Sequence, residues 1–291
     1  MKISLLGIGL MGQAIAEHLL AKGHQVTVYN RSADKTNNLQ QLGAKVAENA
    51  EQAIRDSDFT LLLLSDENAI FLVLDTVAID AFNGKTIVQM GTIAPDESRT
   101  LAKQIQLQQG KYLECPVLGS LPEARSGTLI LMAGGSEEDY RLALPLLNEL
   151  GKKPQLIGDI GHGATVKLAM NQLIAGLTAS FSLSLALVEK EGIEITQFMD
   201  IVRDSALYAP TFDKKLERML SRDFDNPNFP TKHLAKDTQL FLEVAKQHNL
   251  ETCALQGVAT LLDKTLNKGL ANTDYSAIFA GITNQTGSDE Q

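Results

Sequence analysis

The chain of 291 residues is poor in cysteine and histidine and has no tryptophan. Its two cysteines, Cys115 and Cys253, stand far apart and form no C-x-x-C pair, and its five histidines are scattered. A disulfide framework, a zinc site or any other bound metal is therefore not expected. Cysteines used in this way are typical of the reducing cytoplasm, which is the compartment we expect.

Strong positive charge and long apolar runs are also missing. The formal net charge of −9 argues against nucleic acid and against an anionic membrane surface as partners. No uninterrupted apolar run reaches the ~18 residues of a membrane span, so no membrane association is expected. The hydrophobic share of 44% and the charged share of 21% are ordinary for a globular protein, and the length allows two domains.

The N-terminal stretch KISLLGIGLMGQAIAEHLLAKGHQVTVYN predicts a strand, a glycine-rich turn, a helix and a second strand. Three glycines interrupt its apolar run, so a secretory signal peptide is not expected. In this β-α-β context G-x-G-x-x-G is the fingerprint of a dinucleotide site. Gly7 permits the tight turn, Gly9 lets a pyrophosphate approach the backbone, and Gly12 lets the helix pack on the strand. The helix N-terminus, at Leu10 and Met11, attracts the anion.

The residues after the second strand bear on the choice of cofactor. NAD sites usually place an Asp or Glu there to bind the ribose 2′-hydroxyl. Here the strand ends in Asn30, Arg31 and Ser32, and Lys35 follows one turn later. Arg31 can bind a 2′-phosphate with its planar guanidinium, and the neighbouring side chains can donate hydrogen bonds to it. NADP(H) is therefore favoured over NAD, although the same residues also fit a solvated basic turn.

Strand-like and helix-like segments alternate over the first 160 residues. This alternation predicts a mostly parallel sheet with helices on both faces, that is, a Rossmann-type doubly wound α/β domain over residues 1–160 that binds NADP. The predicted strands cover 2–6, 25–29, 59–64, 85–90, 112–115, 128–133 and 154–157.

Beyond residue 160 the pattern is helical. A stretch of about thirty residues from Gly161 has only Gly176 as a breaker and predicts one long, mostly apolar and buried helix that joins the two domains. Residues 161–291 therefore predict an all-α domain for substrate binding and dimerisation, with a frayed tail, NQTGSDEQ. Further helices are predicted at 196–206, 210–220, 231–248, 251–268 and 274–281.

Two of the predicted strands end in residues suited to a ligand site. Leu64 and Ser65 follow the apolar strand that begins at Phe59, and Thr92 follows the strand that begins at Lys85. Ligands bind at the carboxyl edge of such sheets, so we expect these residues in the cofactor or substrate site.

The long helix begins with GHGATVKLAMN. Lys167 and Asn171 are spaced i, i+4 and so share one face of the helix, one turn apart. A lysine held near apolar surface can donate a proton to a substrate, and the amide can orient the lysine or bind a substrate oxygen. The alternative is a surface lysine whose stem packs on the protein while its charge stays in water.

The segment ECPVLGSLPEARSGTLILMAGG, residues 114–135, is rich in glycine and proline and predicts an irregular loop after a strand. Backbone N–H groups at Gly119 and the hydroxyls of Ser120, Ser126 and Thr128 can cradle a carboxylate. Taken alone, the segment also fits an ordinary hairpin.

Together these stretches resemble the β-hydroxyacid dehydrogenase family, which includes 3-hydroxyisobutyrate dehydrogenases, tartronate semialdehyde reductases and glyoxylate/succinic semialdehyde reductases. GIGLMG matches the family's cofactor motif, the segment from Glu114 matches its substrate motif D-A-P-V-S-G-G…G-x-L, and GHGATVKLAMN matches G-x-G-x-x-x-K-x-x-x-N. The resemblance spans essentially the whole chain. It implies that Lys167 is the general acid/base and that Lys236 and Asp237, in FPTKHLAKDTQL, lie beside the nicotinamide.

The chain departs from the family pattern at one informative position. Leu118 stands where the substrate motif usually has serine, so a hydroxyl that could contact the substrate is missing. Ser120 and backbone N–H groups must then hold the substrate carboxylate, or the substrate differs. The Gly119-Ser120 pair, the Asn-Arg-Ser turn and Phe229, eight residues before Asp237, resemble the glyoxylate/succinic semialdehyde reductase branch.

The resemblance implies NADPH-dependent reduction of small aldehyde acids such as glyoxylate and succinic semialdehyde, with Lys167 as the proton donor. The alternatives are a 3-hydroxyisobutyrate or tartronate semialdehyde enzyme and, from another class, a non-catalytic NADPH-binding sensor. A homodimer or homotetramer is expected, because the helical half alone would leave apolar surface exposed. The expected cofactor residues are Gly7, Gly9, Leu10, Met11, Gly12, Asn30, Arg31, Ser32, Lys35, Leu64, Ser65, Thr92 and Lys236; the expected substrate residues are Thr92, Gly119, Ser120, Asn171, Phe229 and Asp237, with Lys167 and Asn171 as the catalytic pair.

Overall fold

The computed structural model describes residues 1–283, so the predicted tail at 284–291 lies outside the described residues. The chain forms two compact units, Met1–Leu168 and a second unit that begins at Ala169. All strands of the described residues belong to the first unit. The strands are β1 (Lys2–Leu6), β2 (Gln25–Tyr29), β3 (Lys45–Val46), β4 (Phe59–Leu62), β5 (Thr86–Gln89), β6 (Lys111–Glu114), β7 (Val117–Leu118), β8 (Ile130–Gly134) and β9 (Gln155–Gly158).

Helices connect these strands and make up the second unit. Short 3₁₀ turns add to them at Ala33–Thr36, Ile79–Phe82 and Tyr275–Ala277. The α-helices are α1 (Leu10–Ala21), α2 (Asn37–Gln41), α3 (Ala50–Arg55), α4 (Glu67–Leu74), α5 (Pro95–Leu107), α6 (Leu121–Ser126), α7 (Glu137–Leu150), α8 (His162–Lys190), α9 (Ile195–Asp204), α10 (Pro210–Ser221), α11 (Thr231–Gln247), α12 (Cys253–Asn267) and α13 (Ile278–Thr283).

The sheet has the strand order of a doubly wound nucleotide-binding domain. Neighbouring strands follow the order β3-β2-β1-β4-β5-β6-β8-β7, and β9 pairs with β8. The strands from β3 to β6 are parallel to their neighbours, whereas β8 runs antiparallel to β6 and β7. The chain order reverses between β1 and β4, and sheets of this kind bind ligands at the carboxyl edge of such a switch point.

Apolar side chains cover both faces of this sheet. Ile15 of α1 and Leu146 of α7 belong to the cluster on one face, and Ile54 of α3 and Leu101 of α5 belong to the other. All four are at most 1% exposed, and burial of each such side chain contributes about 1.5–3 kcal/mol relative to exposure. The predicted doubly wound α/β domain is therefore confirmed, and its sheet gives the carboxyl edge a rigid base.

Helices are the regular secondary structure of the second unit within its described residues, 169–283, as predicted. Its core includes Phe181 of α8, Phe212 of α10 and Phe279 of α13. The rings of Phe181 and Phe212 stack with their centroids 4.5 Å apart. An all-α C-terminal domain after a Rossmann-type domain is thus confirmed.

Helix α8 contains the boundary between the two units, because Leu168 ends the first and Ala169 begins the second. The sequence places the change of domain at residue 160, just before this helix. By length and composition α8 is apolar enough to cross a membrane, although the sequence shows no uninterrupted apolar run of that length. The core helix of a soluble protein passes the same test, and 44% of the apolar window of α8 is buried within the structure.

The segment 114–135 differs most from its prediction. It contains β7 and α6 where an irregular loop was expected, and β8 then follows close to the strand predicted at 128–133. Pro122 stands in the first turn of α6, and Gly127 ends the helix with a left-handed φ of +64°. Proline at the start and glycine at the end are ordinary helix boundaries, so these residues delimit a short helix and do not form an extended loop.

Candidate active site

The glycine turn joins β1 to α1. Gly7 has a φ of +102°, a conformation that favours glycine, and its N–H donates to the carbonyl of Tyr29 at 3.0 Å. A Cβ at Gly12 would collide with the Gly7 carbonyl, so glycine there lets α1 approach the end of β1. A Cβ at Gly9, in contrast, would meet no described atom within 4 Å. The protein therefore leaves the space over Gly9 open, at a helix N-terminus that favours an anion.

Asn30, at the end of β2, has a structural role that the sequence analysis missed. Its Oδ1 accepts a hydrogen bond from the N–H of Ile8 at 2.9 Å, and its Nδ2 donates to the carbonyl of Ser32 at 3.0 Å. The side chain therefore fastens the glycine turn to the turn that follows β2. Arg31 and Lys35 are exposed in that second turn. Two exposed cationic side chains thus lie in the turn that Asn30 connects to the glycine turn.

The segments that follow β4 and β5 lie at the same edge of the sheet as the glycine turn. These two strands are parallel neighbours, and β4 also pairs with β1. A Cβ at Gly91 would lie 2.7 Å from the carbonyl of Leu64, so the two segments approach each other closely. Ser65 is exposed and Thr92 is partly buried. The structure therefore brings the predicted residues of three strand ends to one edge.

The hydroxyl groups of the predicted substrate segment form hydrogen bonds to other side chains of the same segment. The N–H and the hydroxyl of Ser120 both donate to the carboxylate of Glu123, at 2.8 and 2.5 Å. The hydroxyls of Ser126 and Thr128 lie 2.7 Å apart in a hydrogen bond. Gly119, just before this helix, is exposed and has a φ of +143°. A carboxylate can be held by Ser120 only if that residue exchanges its bond to Glu123.

Lys167 and Asn171 lie in the first part of α8. The helix begins at His162, so Lys167 stands in its second turn and is partly buried. Asn171 follows one turn later and is only 1% exposed. Residues four apart in a helix share a face, so the two side chains leave α8 on the same side.

A buried carboxylate holds the side chain of Asn171. Its Nδ2 donates to Oδ2 of Asp237, on α11, at 2.6 Å, and Asp237 is itself buried. Lys236 Nζ lies at an ion-pair distance of 2.9 Å from the other carboxylate oxygen, without hydrogen-bond geometry. A carboxylate only accepts, so the amide nitrogen must face Asp237. Asn171 Oδ1 is buried and has no hydrogen-bond partner among residues 1–283, so it remains available as an acceptor.

Phe229 lies just before α11 and is partly buried. Its ring meets that of Tyr275 edge-on, with centroids 5.8 Å apart, and lies parallel to that of His233 at 6.4 Å. The predicted residues Phe229, Lys236 and Asp237 therefore belong to α11 and the segment that leads into it. Within the described part of the chain, no cluster of His, Cys, Asp or Glu side chains is arranged to hold a metal ion.

An open doubly wound sheet with a glycine-rich turn at its switch point is the arrangement of a dinucleotide-binding domain. Comparison with known families agrees. Residues 2–159 match a family described as the NAD binding domain of 6-phosphogluconate dehydrogenase. Residues 161–282 match one described as the NAD-binding domain of NADP-dependent 3-hydroxyisobutyrate dehydrogenase.

Individual relatives point the same way. The chain is 33% identical over 288 residues to 2-hydroxy-3-oxopropionate reductase of Escherichia coli (strain K12), with 97% of each chain covered. It is 30% identical over 285 residues to glyoxylate/succinic semialdehyde reductase 1 of Arabidopsis thaliana, covering 97% of this chain and 98% of the relative. A solved structure of Mycobacterium tuberculosis 3-hydroxyisobutyrate dehydrogenase with L-serine has the same fold, with a TM-score of 0.86 and 22% identity over 95% of this chain and 97% of the other.

The chain therefore belongs to the β-hydroxyacid dehydrogenase family, as its sequence motifs imply. It is an NAD(P)-dependent dehydrogenase or reductase that acts on hydroxyl or aldehyde groups.

Proposed function

We propose that the protein reduces small aldehyde acids with NADPH and that Lys167 donates the proton. The observation that carries this proposal is the pair Lys167 and Asn171 on one face of α8, with the amide of Asn171 fixed by buried Asp237. A protein that only senses a dinucleotide needs none of these side chains. The names of the Escherichia coli and Arabidopsis relatives support a small aldehyde acid as the substrate class.

In this class of reaction the nicotinamide cofactor supplies the hydride. The carbonyl oxygen develops negative charge as its carbon is reduced, and Lys167 donates a proton to that oxygen. In the oxidative direction the neutral amine of Lys167 takes the proton from the hydroxyl. Asn171 accepts a hydrogen bond through Oδ1 from the hydroxyl of the alcohol product, because its nitrogen donates to Asp237.

The preference for NADPH rests on the exposed turn after β2. Arg31 and Lys35 supply positive charge there, and Ser32 supplies a hydroxyl donor. Asn30 at the strand end is neutral, so nothing at that position repels a 2′-phosphate. Because the side chain of Asn30 fastens the glycine turn, Arg31 is the side chain to which we assign most of the 2′-phosphate recognition.

The substrate carboxylate is assigned to Thr92, to backbone N–H groups around Gly119, and to Ser120 once it has released Glu123. Leu118 supplies no hydroxyl, so these groups must provide the polar contacts. Charge-assisted hydrogen bonds to a carboxylate are each worth about 1.5–3 kcal/mol, so an aldehyde without a carboxylate should be a markedly poorer substrate.

Steady-state assays of the purified protein with NADPH and NADH test this proposal. Glyoxylate and succinic semialdehyde should give a kcat/KM at least about tenfold higher than acetaldehyde and butanal. One charge-assisted hydrogen bond to the carboxylate corresponds to a factor of about that size. Equal turnover of the uncharged aldehydes would contradict the carboxylate assignment. A preference for 3-hydroxyisobutyrate or tartronate semialdehyde would identify the alternative within the family, and NADPH binding without turnover of any of these compounds would favour the sensor.

We also propose that the second unit pairs with a second copy of the chain. Four leucines lie on one side of α8, between 40% and 63% exposed, and no charged residue stands between Lys167 and Glu189. An exposed apolar row of this kind marks an interface. Its members are Leu173, Leu177, Leu183 and Leu187.

Light scattering coupled to gel filtration tests the pairing. The unmodified protein should elute as a dimer or tetramer, and Leu183→Glu should shift it toward the monomer. Leu107→Glu, at an exposed leucine of α5 in the first unit, is the matched control and should leave the mass unchanged. A monomeric parent protein, or one that floats with lipid vesicles, would contradict a second copy as the partner of this row.

A further inference from the structure

Glu114 is a buried carboxylate at the end of β6 that the function described above does not use. It is 1% exposed. Its Oε1 accepts hydrogen bonds from the backbone N–H groups of Gly161 and Gly163 at 2.8 Å and of Ala164 at 3.2 Å. These N–H groups belong to the start of α8, so a strand that ends at the ligand edge of the sheet is bonded directly to the helix that carries Lys167.

The other oxygen of the same carboxylate is held from a second element. Ser98 of α5 donates to Oε2 at 2.5 Å, and its hydroxyl lies 2.7 Å from the hydroxyl of Tyr112. Two glycines leave the room that the carboxylate fills, because a Cβ at Gly134 or Gly163 would press against Oε1. Hydrogen bonds therefore hold both carboxylate oxygens of Glu114 in place.

The start of α8 differs from the starts of other helices in this protein. Helices α3, α4 and α7 are capped by the side chains of Asn49, Asp66 and Ser136, each adjacent to its helix in the chain. Before α8 stands Gly161, whose carbonyl accepts from Thr165 N–H and which has no side chain with which to cap. The cap comes instead from Glu114, about 50 residues earlier, so the first turn of α8 is tied to the sheet.

We propose that Glu114 is a positioning residue for the reaction, which fixes the first turn of α8 to the end of β6 and thereby places Lys167. The inference rests on the proposed role of Lys167 as proton donor. Lys167 stands in the second turn of the same helix, so a shift of the first turn displaces it directly. A displacement of about 1 Å at a catalytic group can lower a rate about a hundredfold, which is why the attachment point matters.

Two substitutions separate the geometry of Glu114 from its charge. Glu114→Gln keeps an oxygen that can accept from the three N–H groups, whereas Glu114→Met has a similar length and no strong acceptor. Ser136→Ala is the matched control, since it removes the cap of α7, a helix to which no site residue is assigned. For each of the three variants, kcat and KM for NADPH are measured, both in the parent protein and in a Lys167→Ala background.

We expect Glu114→Met to lower kcat about a hundredfold and Glu114→Gln to lower it about threefold, with KM for NADPH nearly constant in both. Ser136→Ala should leave kcat unchanged. In the Lys167→Ala background, Glu114→Met should lower kcat no further, because a residue that acts through Lys167 loses its effect when Lys167 is absent. If Glu114→Met does not fold, Ser98→Ala replaces it, with a severalfold loss of kcat that likewise disappears without Lys167.

The outcomes that would overturn the inference are distinct from those that would overturn the proposed function. A folded Glu114→Met variant with parental kcat, or equal losses with and without Lys167, would exclude a positioning role for Glu114. The same two results for Ser98→Ala would exclude it if Glu114→Met fails to fold. Parental kcat in Lys167→Ala alone would instead overturn the proposed function.

Discussion

The polar side chains of the first unit that are assigned to the cofactor lie around an open sheet edge, whereas the second unit contains polar side chains that are buried and paired with one another. Arg31 and Lys35 are exposed in the turn after β2, and a Cβ at Gly9 would meet no described atom within 4 Å. In the second unit, Asp237 is bonded to Asn171, and Asp274 is bonded to another buried side chain. The first arrangement suits a charged ligand, and the second fixes helices relative to each other.

The pair at Asp274 shows the second arrangement most clearly. Both of its carboxylate oxygens accept from Lys215 Nζ at 2.8 Å, and Oδ1 also accepts from the N–H and hydroxyl of Ser276. Asp274 is fully buried and Lys215 is 8% exposed. Burial lowers the pKa of Lys215 in spite of its partner. An intact buried ion pair adds little to the free energy of unfolding, whereas removal of one member lowers it strongly.

The largest stability effect in this comparison is expected at Asp274. Asp274→Asn leaves the ammonium of Lys215 buried without a negative partner and should lower the free energy of unfolding by about 3–5 kcal/mol. Urea denaturation measures the loss. Arg141→Ala, which breaks the exposed pair with Glu137, is the control and should cost less than about 0.5 kcal/mol. An equal loss of unfolding free energy in the two variants would contradict a structural role for the buried pair.

At the open edge, the largest effect is expected at Arg31. Arg31→Ala removes a charge-assisted contact of about 1.5–3 kcal/mol, so KM for NADPH should rise about ten- to hundredfold. KM for NADH should stay nearly constant, because NADH has no 2′-phosphate. Arg141→Ala again serves as the control for loss of a surface arginine. A similar rise for both cofactors, or equal use of both by the unmodified protein, would contradict the assignment.

Gly9 and Gly12 offer a matched test of whether the open space belongs to a ligand. Gly9 has a φ of −85°, which alanine can adopt, so Gly9→Ala should keep the parental stability while filling space at the pyrophosphate site. Overpacking by one methyl costs about 1–3 kcal/mol, so NADPH affinity should fall about ten- to hundredfold. Gly12→Ala should instead lower stability, because its Cβ meets the Gly7 carbonyl. Parental NADPH affinity in Gly9→Ala, measured by fluorescence titration, would exclude the site.

Local patterns explain what the sequence predicts well. Glycine spacing and apolar periodicity predict β1, α1, β2 and the long helix α8, because each of these signals lies within one stretch of chain. Helix α6 was missed because its proline and glycine were interpreted as loop residues. Short helices bounded by such residues contain too few turns to show a period.

Long-range polar pairs explain what the sequence does not predict. Asn30 bonds to Ile8 across 22 positions, Glu114 to Gly163 across 49, and Lys215 to Asp274 across 59. Each partner alone looks like an ordinary polar residue, because the fold brings the two together and no local spacing records it. Local sequence patterns therefore predict residues for the candidate site but not the distant side chains that hold those segments in place.

A smaller effect is expected in the pH dependence of stability. Burial raises the pKa of Glu114, while hydrogen bonds from Ser98 and from backbone N–H groups oppose the rise. The folded state then holds the proton more tightly than the unfolded state, so stability from Glu114 is present at low pH and is lost as pH rises through the folded pKa. As pH rises above about 4.3, the ordinary pKa of a glutamate, the free energy of unfolding of the parent protein should therefore fall relative to that of Glu114→Gln. A difference independent of pH would contradict this direction.

The central claim is that Lys167 is the proton donor of an aldehyde-acid reductase, and the rate of Lys167→Ala tests it most directly. On folded protein, kcat with NADPH should fall about a hundred- to ten-thousandfold, the usual contribution of general acid catalysis, while NADPH affinity barely changes. Lys167→Arg should not restore the rate, because guanidinium retains its proton and differs in shape. A Lys167→Ala protein with near-parental kcat would contradict the account, and one that no longer binds NADPH would show that Lys167 is structural.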